Sequence, residues 1–209
     1  HTVFYNVPLN DIKTIQNNRN VENITKLKYL GTSKIRTNNP QSPYVSVVAT
    51  EKGNMNKLGM YLVKGRLPEN ENEMVITNHL NNIMSTNYSI GDKLMLEIGD
   101  RYSKDNIKLK KSENLQDGEK IINTEKREFT IVGIVVDISE SVNQPGEVAD
   151  TVVTCLRKED IKDNLDIFIR LNKEGLKKPY IAIGDMLGID GNLYKEVQDD
   201  YATGRDATK

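Results

Sequence analysis

Apolar positions along this 209-residue chain follow two different periods, and each period predicts its own kind of element. Leu9, Ile12 and Ile15 recur at helical spacing, after Pro8 and before Asn17-Asn18, which predicts a helix over Val7 to Asn17. Val21 to Ile35 is strand-like, with Ile24, Leu27 and Tyr29 as inward positions. Two prolines and an Asn pair in 38–43 favour a loop, and the β-branched run Tyr44 to Thr50 predicts a strand. Asn54 to Leu62 reads as a short helix or turn.

The middle of the chain alternates more tightly. Gly65-Arg66-Leu67-Pro68 is a turn, Glu73 to Thr77 a short buried strand, and Asn78 to Met84 one or two helical turns. Ser89-Ile90-Gly91-Asp92 turns into Lys93 to Ile98, which alternates as a half-buried strand should. Tyr102 to Lys126 is highly charged and reads as a long hairpin or a mobile loop. Glu128 to Asp137 is the strongest strand signal, and Gly133 inside it predicts a bulge or a close backbone approach. Ser139 to Gly146 reads as a linker broken at Pro145-Gly146. Strands over Thr151 to Leu156 and Asp166 to Leu171 flank a short helix at Lys158 to Lys162, and Lys177 to Leu187 predicts a second long helix. The order of elements is α+β: an outer subdomain built from residues 1–62 and 141–209, split by a β-rich insert over 63–140.

Composition narrows the chemistry without naming a function. The longest apolar run, Phe129 to Ile138, is well short of the roughly 20 residues that a membrane helix needs. Lys and Arg number 29 against 30 Asp and Glu, so no global field draws in nucleic acid or an anionic membrane. One cysteine and two histidines exclude an internal disulfide framework and a Cys-based zinc cluster, and leave little for a His-based site. The absence of an initiating Met, and the polar run from Tyr201 to Lys209, give the expectation of a fragment.

Individual residues reduce to structural readings. Cys155 sits mid-strand among Val152, Val153 and Leu156, where a thiol packs as a small hydrophobe, and His79 has a surface or capping position. Asp160, Asp163 and Asp166 lack the spacing of a calcium loop, as do Asp185, Asp190 and Gly191. No glycine-rich phosphate loop is present. No catalytic, cofactor-binding or metal-ligating residues are therefore assigned. Glu69 with Glu73 is an example of an acid pair that a hydrolase could use, and an ordinary solvated strand-edge carboxylate is the favoured reading of Glu73. Lys104, Lys108, Lys110 and Lys111 form a basic run, read as a solvated hairpin or an anion contact. Tyr44, Met55, Met60 and Tyr61 are the apolar residues expected to be partly exposed at the junction of the subdomains. Core packing competes for most of them.

Three runs in order carry a resemblance: Gly65-Arg66-Leu67-Pro68 through Glu73-Met74-Val75-Ile76, then Ser89 to Leu94, then Glu128 to Val135. They resemble the extracytoplasmic domain of FtsX/MacB-type ABC transporter permeases. The resemblance implies a porter-like α/β-sandwich subdomain from both chain ends with an inserted sabre-like subdomain, on the extracytoplasmic side of the cell membrane. It implies a non-catalytic role in coupling or sensing, with a cytoplasmic ATPase and a second permease copy as partners, and with a peptide or lipoprotein as ligand. On that reading Gly65, Arg66, Pro145 and Gly146 are hinge positions, and Tyr44, Met60, Tyr61, Lys108 and Lys110 form the partner surface. The alternative is a free-standing secreted binding module.

Overall fold

The computed structural model describes residues 2–38, 40, 42–82, 87–111, 113–136, 149–161, 164–190 and 192. Pro145, Gly146, Asp163, Gly191 and the polar tail from Tyr201 lie outside the described residues. The elements in order are β1 (Thr2–Pro8), α1 (Leu9–Gln16), β2 (Val21–Lys34), β3 (Tyr44–Thr50), β4 (Tyr61–Gly65), β5 (Glu73–Thr77), α2 (Asn78–Asn82), β6 (Lys93–Tyr102), β7 (Lys120–Val136), β8 (Ala149–Cys155), β9 (Asn164–Leu171), α3 (Lys173–Lys177) and α4 (Pro179–Leu187). This is a mixed α/β fold, rich in strand. Its residues cluster into two compact units, one of His1–Ile24 with Ile167–Lys209, the other of Thr25–Asp166.

In the first unit β9 pairs with β1. The first strand is absent from the sequence reading, and the predicted helix begins at Leu9 because Pro8 is extended (φ -58°, ψ 141°) and serves as its cap. Ile12 and Ile15 are its buried face. The predicted second long helix, Lys177 to Leu187, is α4, which starts at Pro179 and is preceded by the short helix α3. Lys178 stands before Pro179 at φ -140°, ψ 67°, since the proline ring crowds the preceding residue out of the helical region. Asn172 caps α3 by accepting from the backbone of Glu174 and Gly175, and it ties α3 to the turn before β2 by donating to the Arg19 carbonyl at 2.7 Å.

The second unit carries the strand order β2-β3-β8-β5-β7-β4, with β6 paired to β7 and, at one point, to β2. Strands β3 and β8 run parallel through its centre and are buried along their whole length. Such strands must be apolar or internally satisfied on both faces. The core joins Val45 and Val47, Met74 and Ile76, Leu96 and Ile98, Phe129 and Ile131, with Leu80 of α2. The predicted helix or turn over Asn54 to Leu62 is a 3₁₀ turn at Met55–Leu58 only. Gly59 takes a left-handed conformation (φ 72°) and releases the chain into β4.

The charged segment from Tyr102 to Lys126 is ordered at both ends by strand pairing. Strand β7 begins at Lys120 and pairs antiparallel with β6 from Tyr102↔Lys120 to Lys93↔Thr130. Within that ladder Lys120, Glu125 and Lys126 are exposed. Gly133 behaves as its sequence position predicts. A Cβ there would collide with the Arg66 carbonyl and press on Leu62 and Val75, and the β5–β7 register shifts beside it. The expected outcome for Gly133→Ala is a loss of about 1–3 kcal/mol in urea unfolding, with overpacking as the cause.

Candidate functional site

The second unit has a projecting arm whose base is built on a buried ion pair. The side chains of Arg101 and Glu119 are 2% and 3% exposed. Arg101 Nε donates to Glu119 Oε1 at 3.0 Å and Nη2 to Oε2 at 2.8 Å, the bidentate geometry that suits a planar guanidinium. Its remaining donors reach the carbonyls of Glu113 (2.9 Å) and Asn114 (3.2 Å), so one side chain organises the loop between β6 and β7. Burial alone would raise the Glu119 carboxyl. Hydrogen bonds from Arg101 and the Gln116 N–H outweigh it and hold the group below its usual range.

Tyr44 belongs to this anchor rather than to a free surface. It is only 6% exposed, its ring lies 5.6 Å from the Arg101 guanidinium, and burial together with its bond to Glu119 pushes its hydroxyl up to about 12. Met55 and Met60 are buried as well, so core packing, the competing reading favoured for most of the four, holds for three of them. Tyr61 is the exception, at 67% exposure. On the arm itself Lys108 pairs with Asp100 at 2.9 Å, and the Lys110 side chain is exposed while its N–H donates to Glu113 at 2.8 Å.

The residues weighed for catalysis are each held in structural bonds. Glu73 accepts both Arg66 Nη atoms (2.7 and 2.6 Å) and the Glu69 N–H at 2.9 Å. The Arg66 guanidinium, chiefly, holds its carboxyl down at about 2, so it is an anion at neutral pH and has no proton to give as a general acid. Gly65 and Arg66 are tied likewise: a Cβ on Gly65 would strike the Val132 carbonyl, and the Arg66 N–H donates to that carbonyl at 2.9 Å. These bonds shape the turn at Gly65 and Arg66. His79 Nδ1 lies 3.0 Å from Asp150 Oδ2, which also accepts from Thr77 Oγ1 at 2.6 Å, and Thr77 in turn caps α2 by accepting from the Leu80 N–H. Cys155 is buried, with its thiol pushed up by desolvation. Asp160 is consumed by Arg157, which also grips Glu125 at 2.8 and 3.2 Å. Among the described residues no group of three or more His, Cys, Asp or Glu could hold a metal ion.

The three sequence runs that resembled a permease domain converge on one stretch of β7. Asn72 O accepts from the Thr130 N–H at 2.8 Å, and Val132 O accepts from the Arg66 N–H. Between them Ile131 exchanges bonds with the Ser89–Asp92 turn, accepting from Gly91 at 2.8 Å and donating to Asp92 at 2.9 Å. That turn is closed by Asp92, whose carboxylate accepts from the Ser89 N–H at 2.8 Å. The motifs are thus a backbone lock around Gly133, and their spacing reports architecture.

The whole path is similar to the periplasmic region of MacB from Actinobacillus actinomycetemcomitans, with a TM-score of 0.50 at 12% identity, covering 94% of this chain and 85% of that one. The fold is that of a MacB-type periplasmic domain. A domain assigned to a permease protein of Porphyromonas gingivalis gives 0.49 at 18% identity, over 87% of this chain and 71% of that one. The extracellular domain of the noncanonic ABC-type transporter YknZ from Gram-positive bacteria gives 0.48 at 8%, over 90% and 95%. No protein-family model and no curated protein sequence matches. Among the described residues no helix of this MacB-like domain is long and apolar enough to cross a membrane.

Two measurements test the site. Glu119→Ala leaves Arg101 buried without its counter-charge, and the expected loss is about 3–5 kcal/mol by urea unfolding. The double variant Arg101→Met/Glu119→Leu is expected to recover most of it, because neither charge is then buried alone. For Glu73 the folded-state pKa is depressed, so its contribution is complete above about pH 5 and fades as pH falls toward 2. The stability advantage of the native chain over Glu73→Gln should shrink over that window in acid-titrated urea melts.

Proposed function

We propose that this chain is the extracytoplasmic domain of an ABC transporter permease, a non-catalytic module that couples events outside the membrane to a cytoplasmic ATPase. The observation that carries the reading is the MacB-like path over 94% of the chain. The convergence of the three permease-like runs on β7 supports it, since they define the turn geometry of that path. The side-chain chemistry agrees: Glu73, Glu119, Glu125 and Asp160 are paired with arginines, and exposed features of the described residues include the loop between β6 and β7 and the β4 edge, which suit contact rather than turnover. In this reading a porter-like part comes from both chain ends and a sabre-like β-rich insert spans residues 63–140. The partners are the ATPase, a second permease copy, and a peptide or lipoprotein ligand. The hinge positions in this reading are Gly65, Arg66, Pro145 and Gly146.

The test uses the complete gene product in its own membrane. Lys110→Cys places a thiol on the exposed arm, and the native Cys155 is expected to stay silent because it is buried. A membrane-impermeant maleimide should label Lys110→Cys in intact cells, the native chain should label only after unfolding, and the ATPase should co-purify with the membrane-bound protein. Labelling that required permeabilised cells, or a protein recovered only from the medium with no membrane-bound form, would overturn the proposal.

A further inference from the structure

The end of β2 and the loop between β6 and β7 frame two hollows in the second unit, of about 540 and 490 Å³, which share Lys34, Tyr44 and Glu119 as lining residues. Lys34 and Tyr44 face one another at the end of the β2–β3 ladder. The larger hollow adds Met95, Lys120 and Ile121, and the smaller adds Arg36, Pro40 and Leu115. Both volumes are of the order of a small-molecule site. Their common wall is held in place: Leu115 and Ile121 pack against Tyr44 and Ala149, the Arg101 guanidinium lies over the Tyr44 ring, and Arg101 grips Glu119 with two hydrogen bonds. Met95 stays 56% exposed, so the larger hollow has an apolar surface without a cover.

Charge decides the occupant, and the charges are part of the lining itself. Lys34, Arg36 and Lys120 are exposed and form no ion pair among the described residues. The two acids of the lining each have a cation of their own: Glu97 pairs with Lys126 at 2.9 Å and Glu119 with Arg101 at 2.8 Å. Asp117, in the same loop, lines neither hollow. Three positive charges are therefore left unneutralised around one apolar wall, in a chain whose formal net charge is -1. A cleft lined by one sign of charge concentrates ions of the other. We propose that the larger hollow binds a small amphipathic anion, a carboxylate, sulfonate or phosphate group carried on an apolar body. The anionic group sits by Lys34 and Lys120, the body covers Met95, Ile121 and the Tyr44 side, and Arg36 adds to the field from the neighbouring hollow. A bare inorganic ion would leave Met95 and Ile121 uncovered, and the volume favours one small molecule over a length of chain. This goes beyond the permease reading and does not depend on it, since it rests on the lining of the hollow alone.

The probe is anilinonaphthalene sulfonate, an aromatic anion whose emission rises in apolar surroundings, titrated into the full 209-residue chain beside its uncharged analogue phenylnaphthylamine. The anion should bind saturably and weaken as salt rises, and the uncharged analogue should bind more weakly at low salt. Amide chemical-shift changes on binding should centre on Lys34, Lys120 and Ile121. Lys34→Glu and Lys120→Glu, both on exposed side chains, should each weaken binding about fivefold or more with an unchanged urea midpoint. Lys64→Glu, on β4 and outside the lining, should leave it unchanged. Four outcomes would each overturn the proposal: no binding of the anion, equal binding of the charged and uncharged probes, full affinity in both lining variants, or shifts centred away from Lys34 and Lys120. A hexaglutamate peptide that bound there more tightly than the anion would also overturn it and assign the surface to an acidic chain.

Discussion

Strand β7 has to satisfy three neighbours with one backbone, and everything in the larger unit follows from how it does so. Its first ten residues serve β6, while its last part pairs with β5 on one side and β4 on the other. The change takes place at Gly133, where the Arg66 carbonyl approaches so closely that no side chain fits. The turn around Arg66, the loop ending at Asn72 and the turn at Gly91-Asp92 all hydrogen-bond to β7 between Thr130 and Val132. Because a missing partner for any of these buried backbone groups is costly, the turns and the glycine stand or fall together.

The other end of β7 is held by a different kind of force. Apolar packing of the loop between β6 and β7 is limited to residues such as Leu109 and Leu115, and the buried Arg101–Glu119 pair adds to it by donating to the backbone carbonyls of Glu113 and Asn114. A buried pair of this kind adds little net stability compared with an apolar replacement, but it penalises every arrangement that separates the two charges. It therefore specifies one position for the arm. The tyrosine over the guanidinium extends the same specification to β3.

Much of this molecule is legible in the order of its residues. The β-branched run of β3, the alternation in β6, the apolar run in the later part of β7 and its glycine predict strands and a close approach where these occur, because each signal is local. The ordered motifs likewise point to a MacB-like path, since turn chemistry repeats wherever the same backbone must bend. The sequence reading missed β1, β4 and α3, and it left the early part of β7 open between a long hairpin and a mobile loop, of which the hairpin occurs. These strand segments have mostly exposed or half-exposed residues, and their order comes from neighbours distant in sequence. The helix over Lys177 to Leu187 begins at Pro179, two residues late, because the proline keeps Lys178 out of the helical region.

By itself the sequence pointed to an α+β chain and argued against an internal disulfide framework, a Cys-based zinc cluster and a glycine-rich phosphate loop, because composition and short-range spacing bear directly on those. It also made Cys155 a core residue, since its neighbours in the strand are apolar. Only the tertiary structure decided which charges are structural and which are free. Arg66, Arg101 and Arg157 have their partners 7, 18 and 32 positions away, and nothing in local patterning distinguishes them from Lys64, whose side chain faces solvent. It decided too that Tyr44 and Met60 are buried while Tyr61 is not, because that depends on which strand lies at the edge of the sheet. Edge position is a property of the pairing order and belongs to no single residue.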